Sequence, residues 1–287
     1  MKVRYARWLL TLAILLSMPA AFAASCTVKA TGVSFGNYTT AIRKVAGTVT
    51  VTCTRNSSYS ISLNQGLGPG ATVTSRSMTS GANVLGYGLY TDAARSVNWG
   101  DSAGTNWVTG TGTGKAQKYN VYGEIPANEF SNVATYSDTI TVYVQGAGIA
   151  TATAAIKVTA SVLAHCVISA SPLNFGTYAS VVTDSTTSID VTCTNNTSYT
   201  VGLNAGKSAG ATVTKRAMTG PGKALLHYGI YSDSAHTVNW GNTAAQNWVS
   251  GSGAGTQQAL TVYGEIPAGQ FPAPGSYSDT VTATITY

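Results

Sequence analysis

Apolar and polar residues alternate with a period of two through long stretches of this chain. Over 154–163 the alternation places Ala154, Ile156, Val158, Ala160 and Val162 on one face, with Ala155, Lys157, Thr159, Ser161 and Leu163 on the other. A period of two over that length predicts a β-strand with one buried face. The segments 136–144 and 277–287 alternate as cleanly. Shorter runs predict strands near 27–30, 45–54, 58–64, 71–75, 85–91, 118–125 and 136–144, separated by Gly, Asn, Asp and Ser turn clusters. No stretch keeps a helical period over three turns. Seven short, evenly spaced strands predict a Greek-key β-sandwich.

The alternating stretch 149–164 lies between two copies of one sequence. Cys26, Phe35 and Cys53 recur as Cys166, Phe175 and Cys193, each offset by 140. After a one-residue slip near position 80, Trp99, Trp107 and Glu124 recur as Trp240, Trp248 and Glu265 at an offset of 141. Val-Thr-Cys-Thr at 51–54 and Val-Tyr-Gly-Glu-Ile-Pro at 121–126 both return in the second half. A repeat this long is a duplicated domain, since solenoid repeats run to about 20–50 residues. A segment joining two compact domains is ordinarily short, polar and rich in Gly or Pro. An alternating apolar strand in that place is expected to complete a sheet.

Composition narrows the class. The first 23 residues combine Lys2, Arg4 and Arg7 with an apolar run from Trp8 and an Ala-Phe-Ala end, which predicts an export signal cleaved before Ala24. That run is too short to span a bilayer, and no later stretch reaches about 18 apolar residues. The expectation is an exported chain with no membrane span. Of the 16 basic residues, 13 remain after cleavage against 10 acidic ones, without clustering, so a nucleic-acid partner is not expected. Charged residues make up only 9% of the chain, and Thr, Val and Tyr suit pleated, half-buried surfaces. The expected domains are 1–23 (signal), 24–148, a linking strand at 149–165, and 166–287.

Little in the chain points to catalysis. Four cysteines in an exported protein favour disulfides, and the duplication selects Cys26–Cys53 and Cys166–Cys193, one bridge per copy. There is no Cys-x₂-Cys spacing, and His165, His227 and His236 share no metal-binding spacing, so neither metal nor cofactor is expected. Glu124 with Asp138, and Glu265 with Asp279, recur beside turns and strand ends, where hydrogen bonding explains them better than acid–base chemistry. No Gly-x-Ser-x-Gly, P-loop or His-Glu-x-x-His motif is present, and an enzyme is not expected. The recurrence of Trp99 and Trp107 in both copies favours packing over a sugar-stacking platform.

The early Cys, the Phe-Gly that follows, Val-Thr-Cys-Thr, the Gly-Glu-Ile-Pro turn and the terminal Tyr-Ser-Asp-Thr-Val-Thr-Ala-Thr-Ile-Thr-Tyr strand together resemble the spore coat U domain family. That family includes subunits of archaic, Csu-type chaperone–usher pili. The resemblance implies two tandem immunoglobulin-like Greek-key sandwiches, the second lacking its final strand. It further implies that Ala154, Ile156, Val158, Ala160 and Val162 form a donor strand completing copy one. Tyr277, Val281, Ala283, Ile285 and Tyr287 then flank an open acceptor groove in copy two. The implied partners are a periplasmic pilus chaperone, an outer-membrane usher and a neighbouring pilin that donates a strand. The chain would pass through the periplasm to the cell surface. Copy one reaches Cys26 at the third mature residue and copy two closes on its last strand, so the expected place is the end of a fibre, as a tip adhesin supporting attachment and biofilm formation. The candidate contacts with an abiotic surface or glycan are Leu67, Pro69, Trp99 and Trp107, in the loops 64–70 and 98–114. A secreted coat or matrix protein and a monomeric lectin-like protein are the alternatives.

Overall fold

The computed structural model describes residues 24–101, 105–243 and 246–287; the expected signal over 1–23 lies outside them. Domain one contains β1 (Cys26–Ala30), β2 (Val33–Tyr38), β3 (Arg43–Cys53), β4 (Ser58–Leu63), β5 (Arg76–Ser80), β6 (Asn83–Tyr90), β7 (Val108–Thr111), β8 (Gln117–Ile125), β9 (Ala134–Gly146) and β10 (Ile149–Val162). Domain two contains β11 (Cys166–Ala170), β12 (Thr183–Cys193), β13 (Ser198–Leu203), β14 (Arg216–Thr219), β15 (Leu225–Tyr231), β16 (Val249–Ser252), β17 (Gln258–Ile266) and β18 (Ala283–Thr286). A single 3₁₀ turn at Pro221–Lys223 is the one helical element among the described residues. None of them forms a helix long and apolar enough to cross a membrane.

Each domain packs two layers. In domain one, β1-β3-β8-β6 faces β2-β10-β9-β4-β7, and β5 joins the layers by pairing with β6 and, at Thr79 and Ser137, with β9. Inward residues from both layers, among them Phe35, Val49, Ile61, Leu89, Ile140 and Ile156, are fully buried. Domain two repeats one layer as β11-β12-β17-β15-β14 and keeps only β16-β13-β18 of the other. The disulfides Cys26–Cys53 and Cys166–Cys193 join directly opposed positions of the first two strands paired in each domain.

One predicted strand is not formed. Residues 71–75 make a tight turn, in which Ser75 N–H donates to the Thr72 carbonyl and hydroxyl and the Thr72 and Thr74 hydroxyls meet. Hydroxyl side chains that satisfy nearby backbone groups compete with a ladder, and the strand begins at Arg76 instead. Conversely, β2 and β7 are strands that no run of alternation marked.

The stretch between the copies is strand β10, and it lies inside domain one's second layer. It runs antiparallel to β9, with Ile156 opposite Ile140, and parallel to β2, with Val158 opposite Val33 and Val162 beside Tyr38. Ile156, Val158, Ala160 and Val162 are buried and Ala154 is partly so. The segment leads directly into Cys166 and domain two.

Domain two meets domain one through the turn after β12 and the turn after β16. Asn195 N–H donates to the Phe130 carbonyl at 3.1 Å, and its side-chain amide donates to Asn132 Oδ1 at 2.6 Å. A Cβ on Gly255, which has a φ of +72°, would stand 3.0 Å from the Phe130 carbonyl, so this turn also abuts the junction. The equivalent turns of domain one, 54–57 and 112–116, therefore point away from domain two, at the far end beside the β9–β10 hairpin.

Candidate functional site

The two copies use the same sequence differently along one edge. In domain one, Val33, Phe35 and Tyr38 on β2 and Tyr136, Ile140, Val142 and Val144 on β9 are all buried, with β10 between them. Their counterparts in domain two are Leu173, Phe175 and Tyr178 on one rim and Tyr277, Val281, Ala283 and Ile285 on the other. All seven are only partly buried, and among the described residues no strand lies between them. Residues 172–178 form no strand, and the closing segment pairs only at Ser278, in an isolated bridge to Thr219, and over Ala283–Thr286, with β13. What remains is an open groove of about 460 Å³ floored by Ile189, Leu203, Tyr228 and Ile230. It continues into a hollow of about 840 Å³ between Thr177 and Phe271.

The groove has the chemistry of a strand-binding site. Its floor is apolar, and along most of its rims, 172–177 and 279–282, the backbone joins no strand ladder among the described residues, which is the kind of edge that strand addition uses. Leu173, Phe175, Tyr277 and Val281 hold the places at which Val33, Phe35, Tyr136 and Ile140 flank Ile156 and Val158 in domain one. Burying a large apolar side chain contributes about 1.5–3 kcal/mol, so several inserted together hold a strand firmly. Tyr287, expected on the acceptor strand, departs from that place. It is 52% exposed and sets its ring edge-on to His165, at 6.2 Å between centroids, because it lies past the last residue paired with β13.

The rim strand is positioned by a buried polar network, of which the sequence marked only Asp138 and Asp279 as hydrogen-bonding residues. In domain one, Asp138 accepts hydrogen bonds from Tyr87 Oη at 2.6 Å and from the backbone N–H of Leu67 at 2.8 Å. Asp279 does the same with Tyr228 and Lys207. Gly66, at φ +89°, passes so close that a Cβ there would meet Asp138 Oδ2. Beneath, Arg76 is wholly buried and donates to the carbonyls of Leu63, Asn64, Val73 and Trp99. Burial, partly offset by Tyr87 and Asp138, lowers the Arg76 pKa to about 10. Arg216 repeats every one of these contacts, and burial lowers its pKa likewise. The sequence signal was the recurrence of Arg-x-Met-Thr at 76–79 and 216–219. Glu124 takes no part in this network; it pairs with Lys44 at 3.5 Å and Arg95 at 3.7 Å.

The proposed surface contacts fare unevenly. Trp99 is 1% exposed and its indole Nε1–H donates to the Ile61 carbonyl, as Trp240 does to Val201, so it is a core pillar and presents no face to a ligand. Trp107 is half-buried. Leu67 and Pro69 are exposed, but Leu67 stands level with Asp138, halfway along β9, on the flank of the domain. The far end instead presents Arg55, Asn56, Thr113 and Lys115, which make it polar and cationic.

The fold has known relatives. A solved chain from the CsuC–CsuE chaperone–tip adhesion subunit pre-assembly complex of Acinetobacter baumannii Csu pili superposes with a TM-score of 0.56. The match is 19% identical and covers 91% of this chain and 100% of the other. In sequence, "Protein U" of Myxococcus xanthus is 36% identical over 155 residues, 48% of this chain and 86% of that protein. The model of the Spore Coat Protein U domain matches twice, over 11–143 and 152–284, and the chain belongs to that family.

Proposed function

We propose that this chain is an exported subunit of a surface fibre built by strand addition, which accepts a strand from a neighbouring subunit in domain two and occupies the end of the fibre. The observation that carries this reading is the contrast along one edge: β10 fills the groove of domain one, while the same groove in domain two is open. A bare apolar groove flanked by unpaired backbone is a hazard in solution. A periplasmic chaperone would cover it before an outer-membrane usher hands the subunit to its neighbour. The segment that would serve domain two as a donor extension is spent within the chain, on domain one. This supports a place for domain one at the outer end, where its far end would make the adhesive contact behind attachment and biofilm formation. With Arg55 and Lys115 there, a polar or anionic surface suits it better than an apolar one.

The junction inside the chain supports the same arrangement. Phe271, the counterpart of Phe130, is 87% exposed at the base of domain two, where the next subunit would dock as domain two docks on Phe130. A second reading is a coat or matrix protein polymerised through the same groove without adhesive work. It is favoured by the description of the family itself.

A synthetic peptide of residues 150–164, titrated into the purified chain, tests the groove. One equivalent should bind and raise the melting temperature of domain two, and a peptide carrying Asp at position 158 should not. A chain that ignores the wild-type peptide would overturn the strand-acceptor reading. Adhesion assays on the intact fibre, with Arg55→Ala and Lys115→Ala, separate the adhesive from the coat reading.

A further inference from the structure

Asp184, His236 and Glu265 come from three separate elements, and their ligand atoms all lie within 4.8 Å of one another. His236 Nδ1 is 3.2 Å from Glu265 Oε2 and 3.9 Å from Asp184 Oδ1. We propose that these three side chains form a binding site for a divalent cation of the zinc class, independent of the strand-acceptor groove.

Domain one shows what the same frame looks like without a cation. Lys44 stands opposite Glu124 on the β3–β8 ladder as Asp184 stands opposite Glu265 on β12–β17. Arg95, at φ +62°, occupies the turn position that His236 takes at φ +55°. Lys44 and Arg95 both pair with Glu124. Domain two has exchanged both of those cations, one for a carboxylate and one for an imidazole, on an unchanged backbone. The formal charge of the cluster falls from +1 to −2 with a neutral imidazole. Like charges directly opposed on a ladder destabilise it, and a single Nδ1 proton can serve only one of the two carboxylates. A divalent cation neutralises both.

The geometry suits such an ion. Bonds of about 2.0–2.2 Å in a tetrahedron set neighbouring ligand atoms about 3.3–3.6 Å apart, and the two histidine distances bracket that range. One imidazole nitrogen with two carboxylate oxygens is a borderline donor set that selects zinc over magnesium or calcium. Water would complete the fourth position. The imidazole is held in place: its ring lies 5.0 Å from Tyr231 and 6.4 Å from Tyr263, centroid to centroid. The turn carrying it is closed by Asp233, which accepts from the N–H groups of Thr237 and Val238. Asp184 is 60% exposed, so its carboxylate is free to close the remaining gap. No spacing in the sequence marks the site, because the ligands lie on different strands and a turn.

The test is a zinc titration of the mature chain, purified without a polyhistidine tag and stripped with EDTA, read by calorimetry and by the melting of each domain. The expected result is one strong equivalent of Zn²⁺ that raises the transition of domain two and leaves that of domain one in place. The paired substitution Asp184→Lys with His236→Arg, which installs the domain one residues, should keep the fold and weaken binding at least tenfold; His236→Gln should do the same. Absence of binding at millimolar Zn²⁺ would overturn the site. So would unchanged binding in both variants, which would assign the ion to His165 or His227. Equal binding of Ca²⁺ or Mg²⁺ would overturn the zinc class.

Discussion

Phe35 and Phe175 hold the same place in the two copies, yet one is fully buried and the other only partly covered. The residues around them match closely, so the difference is the presence of β10 on one side and not the other. A single inserted strand orders β2, lengthens the closing strand from the four residues of β18 to the thirteen of β9, and seals the core. The matching segment without it, 172–178, joins no strand and leaves a groove behind. Completion of this sandwich therefore depends on a strand from outside the repeated unit, and the chain holds one finished and one unfinished example.

The largest effect that could break this comparison is Ile156→Asp. An unpaired charge at a position with no exposure should cost about 4 kcal/mol or more and abolish the transition of domain one in scanning calorimetry. Val281→Asp, on the half-open rim, should cost no more than about 1 kcal/mol until a strand is bound. Equal losses would mean that the two edges do not differ as described. Phe35→Ala should cost about 3–5 kcal/mol by leaving a cavity, whereas Phe175→Ala in the free chain should cost about 1 kcal/mol. With the 150–164 peptide bound, the two values should converge. Replacing either cysteine pair by serine should cost about 3.5 kcal/mol in its own domain, because both bridges span the same separation of 27. Unlike the core substitutions, this one should not distinguish the domains.

The smallest effect is the alkaline response. Burial raises the pKa of Tyr38, Tyr59, Tyr87, Tyr90 and Tyr136 in domain one, with the hydrogen bond between Tyr59 and Tyr119 and the one that Tyr87 donates to Asp138 adding to the shift. In domain two it raises Tyr199, Tyr228 and Tyr231. Raised phenols give stability that is complete below about pH 10, where the unfolded chain begins to ionise, and that is lost as pH climbs toward the folded values. The lowered Arg76 and Arg216 act in the opposite sense in both domains. The melting temperature of domain one should therefore fall more steeply than that of domain two between pH 9 and 11. A steeper fall in domain two would contradict the burial contrast.

Much of this was legible in the chain. The period of two in 154–163 named the inward residues of β10, and the duplication named the disulfide partners. Trp99 was ambiguous, because a recurring tryptophan in a Gly/Asn-rich segment reads equally as loop or core, and only its bond to Ile61 places it. Arg76 was invisible as a buried cation, since nothing local says that carbonyls at 63–64 and 99 converge on it along with that of nearby Val73. Asp184, His236 and Glu265 were invisible as a cluster for the same reason.

By itself, then, the sequence determined what local period and internal repetition can carry: an all-β chain, two copies, their bridges, and a strand in place of a linker. These follow from which side chains a pleat can bury and from which residues recur. The tertiary structure decided everything that depends on a partner strand: that Val33–Tyr38 is a strand while 172–178 is not, that β10 lies antiparallel to β9 and parallel to β2, and that the second copy keeps an open edge. Ladder hydrogen bonds and burial are supplied across the sheet and not along the chain, so equivalent segments adopt different structures when only one of them has a neighbour.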